Sequence, residues 1–180
     1  MNEKQQYIVY GIEQSEFDKN KVSPITNCRF PDSKPLGGLW ASPVTSEWGW
    51  RDFCISEGFR VDELDRCTVF HLEENAKIFR VSNRASMQRL LDRYGMPSHP
   101  ELPRISIDFE KLKKDYDVLY ATNKGCDYLP RWDVESIIIL NPNKIRIDDR
   151  DKNLMPILKE ETAKKLQNYR DQYDDYDREL

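Results

Sequence analysis

Arg131-Trp132-Asp133-Val134-Glu135-Ser136-Ile137-Ile138-Ile139-Leu140-Asn141-Pro142 is the stretch around which the chain is organised. Ser136 to Leu140 is a short apolar run rich in β-branched residues and closed by an Asn-Pro breaker, which predicts a buried central strand. Glu135 stands at the start of that strand and Asp133 two residues before it. Residues i and i+2 of an extended segment share a face, so both carboxylates are expected to project into one cleft. Upstream lies a polar loop, Thr122 to Arg131, with a single Gly and a single Pro. A carboxylate pair at the lip of a buried strand, under a loop, is a natural place for chemistry. The alternative is that Glu135 simply opens the strand in solvent.

Working outward, the chain of 180 residues suffices for one domain with a proper core and at most a terminal appendage. A content of 38% hydrophobic and 33% charged residues fits a folded, rather polar protein. The net charge of −4 argues against a general nucleic-acid coat or an anionic membrane surface as partner. No apolar run is long enough to span a bilayer, and the N-terminus lacks a signal-peptide core, so a cytoplasmic location and no membrane partner are expected. Cys28, Cys54, Cys67 and Cys126 lie far apart, which suggests reduced thiols. With only His71 and His99 present, no metal centre is expected.

Tyr7 to Ile12 predicts the first strand, followed by a long polar loop. Gly37-Gly38 predicts a turn, and Leu39 to Ser42 a second short strand. Thr45 or Ser46 reads as the N-cap of a helix running to about Ser56 and stopped by Gly58. Thr68–Leu72 and Lys77–Val81 read as two strands forming a hairpin or a near-neighbour pair. Asn83 caps a helix from Arg84 to about Tyr94, stopped by Gly95; 96–103 is a loop, and Asp108 to Tyr116 a short basic helix. Asp117 to Ala121 predicts another strand and Lys144 to Asp148 an edge strand. From Pro156 the chain has helical propensity and becomes an acidic tract beyond Tyr169. The order is that of an α+β protein, with a main domain over 1–155 and a C-terminal helix and acidic tail over 156–180. Neither G-x-G-x-x-G nor G-x-x-x-x-G-K-[ST] occurs.

Three segments together, Tyr10-Gly11, Gly38-Leu-Trp-Ala-Ser42 and Asp133-Val-Glu135, resemble the ADP-ribosyltransferase-like family of bacterial toxins and their phage relatives. The ending Glu-Ser-Ile-Ile-Ile-Leu-Asn-Pro-Asn-Lys-Ile looks like the close of that family's catalytic strand. The resemblance covers about Tyr7 to Ile147 in short pieces. It implies a split, mixed/antiparallel β core with flanking helices. It also implies NAD as substrate and mono-ADP-ribosyl transfer to a protein or nucleic-acid acceptor. An antitoxin or other protein partner belongs to the same expectation. The chain departs from the family pattern in carrying Tyr10 where Arg or His is common, and Asp133 where Glu or Gln is common.

Cleaving the nicotinamide–ribose bond passes through an oxocarbenium-like state, which a nearby carboxylate offsets. The resemblance makes Glu135 that carboxylate and Asp133 the group that positions or deprotonates the acceptor. Gly11 would bring backbone to the carboxamide, Tyr10 would touch ribose or adenosine, Trp40 would stack on nicotinamide and Ser42 would orient Glu135 or a ribose hydroxyl. Each has a plainer alternative. Tyr10 and Trp40 suit a core, Ser42 a helix start, and Asp133 a turn. Lys34 and Arg131 could meet a pyrophosphate or be solvated. The Arg131-Trp132 pair, if exposed, would suit a stacking base. His71, in an apolar strand, reads as a structural histidine. NAD hydrolysis, and a silent binding protein on the same scaffold, are the competing functions.

Overall fold

The computed structural model describes residues 5–28, 32–97 and 105–178, with side chains as far as 171. The strands are β1 (Gln6–Tyr10), β2 (Leu39–Pro43), β3 (Cys67–Leu72), β4 (Ile78–Val81), β5 (Val118–Ala121), β6 (Ser136–Ile139) and β7 (Ile145–Arg146). They form one mixed sheet in the order β4-β5-β6-β2-β1-β3-β7. The β4–β5 ladder is parallel and the others are antiparallel. The helices are α1 (Trp50–Glu57), α2 (Arg84–Tyr94), α3 (Phe109–Asp115), α4 (Asn123–Cys126) and α5 (Asp149–Arg178). The architecture is therefore α+β, as expected.

The apolar run at 136–140 is the central strand because it is buried on both faces. Ile137 and Ile139 join a cluster with Tyr7, Phe70 and Tyr120, while Ile138 and Leu140 join a second one with Leu90, Leu119 and Trp132. Ile137, Ile138 and Ile139 are all 0% exposed, and full burial of each stabilises by roughly 2 kcal/mol. α2 and α3 cover the second cluster through Met87, Leu90, Phe109 and Leu112. Their starts follow the sequence signals: Asn83 Oδ1 accepts from the Ser86 N–H at 2.9 Å, and Asp108 Oδ1 from the Lys111 N–H at 2.9 Å. On the other flank, Leu158 of α5 packs against Ile8 and Val69.

Several expectations need correction. The strands at 68–72 and 77–81 are not neighbours, since β5, β6, β2 and β1 lie between them. β3 already has β1 on one edge and β7 on the other, and α2 and α3 supply the crossover that a parallel β4–β5 pair requires. α1 begins at Trp50, with Gly49 and not Thr45 or Ser46 as its N-cap. The Ser46 N–H turns back onto Pro43 O at 3.1 Å, and Ser42 Oγ accepts from the Trp50 N–H at 3.1 Å. α5 begins before Pro156, which lies inside it. Asp148 Oδ1 accepts from the N–H groups of Arg150 and Asp151 at 2.9 and 3.3 Å and starts the helix there. The 155/156 division thus falls within α5. Most of the loop expected at 96–103 lies outside the described residues.

The Gly37-Gly38 turn has φ of +74° and +73°. A Cβ on Gly37 would come within 2.2 Å of the Pro24 carbonyl oxygen, so the turn fits only glycine there. β7 is a sheet edge, as expected for the alternating run after Pro142. No helix among the described residues is long and apolar enough to cross a membrane.

Candidate functional site

β1 and β2 pair at Tyr7↔Pro43 and Ile8↔Ser42, and their ladder goes no further. The stretches beyond it, Val9-Tyr10 and Leu39-Trp40-Ala41, line a cavity of about 360 Å³. That volume lies within the rough 300–1,000 Å³ range of small-molecule sites. Trp40, Trp50 and Trp132 supply aromatic surface. Tyr10, Ser42, Asp133, Lys34, Arg60 and Glu63 supply polar groups. Tyr10, Trp40, Ser42 and Asp133, four of the residues singled out by the sequence, are therefore brought together.

Trp40 is opposite Ile138 in the β2–β6 register, and its ring meets that of Trp132 edge-on at 4.6 Å. Trp132 is 3% exposed and its Nε1–H donates to Ser33 O at 3.1 Å. It is therefore a wall of the cavity, not half of an exposed stacking pair. Arg131 is exposed and ion-paired with Asp32, and it does not line the cavity. Lys34 does. Its Nζ stands 3.9 Å from Asp133 Oδ2 and 5.3 Å from the Trp40 ring centroid. Burial pulls the Lys34 pKa below the ordinary lysine value, against the opposing pull of Asp133. Burial pushes the Tyr10 phenol up to about 12, and the neutral hydroxyl meets Thr162 of α5. Ser42 Oγ accepts from the Trp50 N–H, a bond that does not use the hydroxyl proton.

Asp133 and Glu135 do not share a cleft. A bend over Val134 and Glu135 interrupts the extended backbone, so the i, i+2 rule does not carry through. Asp133 lines the cavity together with Val134 and Ser136, whereas Glu135 is not among its walls. Glu135 Oε1 accepts from Tyr120 Oη at 2.5 Å. Tyr120 packs in the cluster of Tyr7, Ile137 and Ile139, on the face away from Trp40 and Ile138. The guanidinium of Arg80 lies 4.5 Å over the Tyr120 ring.

Gly11 also departs from expectation. Its φ is +89°, but its N–H already donates to Arg66 O at 2.8 Å. The space a side chain would take is faced by Glu63, whose Oε2 would be 3.0 Å from a Cβ. The backbone donor is thus engaged within the protein. Arg60 and Glu63, which the sequence did not single out, reach the cavity from the segment after α1. No local pattern announces them, because only the chain reversal there turns them toward β1.

Among the described residues, His71, Asp148 and Asp151 bring potential metal-ligand atoms within 4.8 Å of one another. Both carboxylates already accept hydrogen bonds within the protein. Asp151, 0% exposed, faces His71 Nδ1 at 2.8 Å and accepts from Gln6 Nε2 at 2.7 Å and the Asp148 N–H at 2.9 Å. The cluster ties the start of α5 to β1 and β3, in keeping with a structural His71. In comparisons with protein families, curated proteins and solved structures, the chain matched none.

Proposed function

We propose that the chain is an NAD-dependent mono-ADP-ribosyltransferase whose site is the Trp40 cavity, with Asp133 as its carboxylate. The observation that supports this most is the convergence of three separate segments on one cavity. Tyr10 comes from β1, Trp40 and Ser42 from β2, and Asp133 from the approach to β6, and those three strands are adjacent in the order β6-β2-β1. A flat nicotinamide ring can stack on indole. Ser42 offers a neutral hydroxyl to ribose or carboxamide, and Tyr10 adds to the cavity wall beside it. Asp133 can offset the positive charge that develops as the glycosidic bond lengthens, and nicotinamide leaves with the bonding electron pair. The C1′ centre is then taken by the acceptor, a protein side chain or a nucleic-acid base, whose proton Asp133 can accept.

The test is incubation with NAD labelled in its adenylate half, together with a cell lysate. Transfer of label to protein or nucleic acid, lost in Asp133→Asn, supports the assignment. Release of nicotinamide without transfer identifies a hydrolase. A second function, a binding protein without chemistry, is favoured by the engagement of Glu135 with Tyr120. Saturable NAD binding with neither transfer nor nicotinamide release would establish it.

A further inference from the structure

Two cations face the cavity, and each is held by a carboxylate that faces it too: Lys34 with Asp133, and Arg60 with Glu63. The two pairs differ in chemistry. Lys34 Nζ lies near both Asp133 and the Trp40 ring, and burial weakens its hold on the proton. Arg60 is a permanent cation with a planar fork suited to phosphate oxygens, and its side chain is 53% exposed, so it has room to move.

The backbone fixes where Arg60 starts. α1 ends with Gly58 in the left-handed conformation and Phe59 N–H donating to Cys54 O at 2.8 Å, a helix-closing turn that reverses the chain. Arg60 itself has φ +51°, a left-handed conformation uncommon for a residue with a side chain. This places the arginine on the cavity side, beside Phe59, whose ring meets that of Trp50 edge-on at 6.0 Å. Glu63 Oε2 faces Gly11 on the side that lacks a side chain, 3.0 Å from where a Cβ would stand.

We propose that Arg60 is the phosphate-recognising residue of the cavity, and that Glu63 occupies its guanidinium until the phosphate of a nucleotide ligand displaces it. This rests on the nucleotide assignment of the preceding section and adds to it. The ligand must carry a phosphate or pyrophosphate, and its affinity is set by competition with an internal carboxylate. With two acids matching two cations around the cavity, an anionic ligand gains most when Glu63 lets go.

The experiment is a calorimetric titration of the parent, Arg60→Ala, Arg60→Lys and Glu63→Gln proteins with ADP-ribose, adenosine and inorganic pyrophosphate at low ionic strength. Arg60→Ala should weaken ADP-ribose binding by about tenfold or more while leaving the weaker adenosine binding unchanged. Arg60→Lys should recover part of the loss. Glu63→Gln should tighten ADP-ribose, and pyrophosphate should compete in the parent but not in Arg60→Ala. Unchanged ADP-ribose affinity in both Arg60→Ala and Glu63→Gln overturns the role of Arg60 and leaves the nucleotide site standing. If the parent binds neither ADP-ribose nor NAD, the nucleotide assignment fails and this inference with it.

Discussion

Tyr120 Oη donates to Glu135 Oε1 at 2.5 Å, and that bond holds Glu135 on the face of the sheet away from the Trp40 cavity. Asp133, two residues earlier, lines the cavity instead. The two carboxylates therefore carry different expectations. Asp133→Asn should lower nicotinamide release from NAD by about tenfold, less than the loss of a buried electrostatic group, because its side chain is 48% exposed. Glu135→Gln should leave it nearly unchanged. The reverse pattern in a steady-state assay would return Glu135 to the catalytic role.

The same bond has a stability consequence. Tyr120→Phe leaves Glu135 without its partner, and a hydrogen bond to a charged group contributes about 1.5–3 kcal/mol. Urea denaturation should show a loss toward the lower end, because Glu135 is only partly buried. An unchanged midpoint would mean that the bond contributes nothing in solution.

Trp40 and Trp132 touch, yet their replacements should separate. Trp132 is 3% exposed, so Trp132→Ala should cost about 3–5 kcal/mol of stability. Trp40 is only partly buried and faces the cavity. Trp40→Ala should weaken ligand binding more than it lowers the melting temperature. Equal thermal losses in both variants would make Trp40 a core residue.

Burial raises the Tyr7 phenol from 10.0 to about 12 and does the same for Tyr10. Unfolded tyrosines ionise first, so between these values the unfolded state binds fewer protons and stability falls as pH rises. The contribution is fully present below pH 10.0 and is lost as pH climbs through the folded value of about 12. For Tyr7 alone the slope is roughly 1.4 kcal/mol per pH unit. Denaturation midpoints followed over this window should drop steeply, and less steeply in Tyr7→Phe. A flat profile would contradict the burial of these phenols.

Asp151→Ala should remove the shared acceptor of His71, Gln6 and the Asp148 N–H. A loss of about 3 kcal/mol is expected from leaving buried polar groups unmatched. Adding a divalent cation to the parent should not raise its melting temperature, because both oxygens of the Asp151 carboxylate already accept hydrogen bonds. A rise that saturates with cation concentration would make this cluster a metal site.

Much of the fold was legible from local signals. The 136–140 run announced the central strand, Asn83 and Asp108 announced two helix starts, and Gly37-Gly38 announced a turn. The two misplaced helix starts have different causes. The start of α1 was misplaced because the Trp50 N–H finds Ser42 Oγ, a partner from the preceding strand. The start of α5 was misplaced because Asp148 outweighs the Pro156 signal. Of the residues marked by the resemblance, Tyr10, Trp40, Ser42 and Asp133 line one cavity while Gly11 and Glu135 do not, and Arg60 and Glu63 lie in a segment with no recognisable motif.

The sequence alone determined which residues are strand, helix and turn over most of the chain, because periodicity, capping and glycine placement act within a few residues. It also determined that four candidate residues sit near strand ends. Only the tertiary structure decided that β3 and β4 lie far apart, that the β1–β2 ladder stops after two pairs to leave a cavity, and that Asp133 and Glu135 face opposite ways. Strand partnership depends on which edges remain free. The direction of a side chain near a bend depends on what it can bond to, and both are settled by residues distant in the chain.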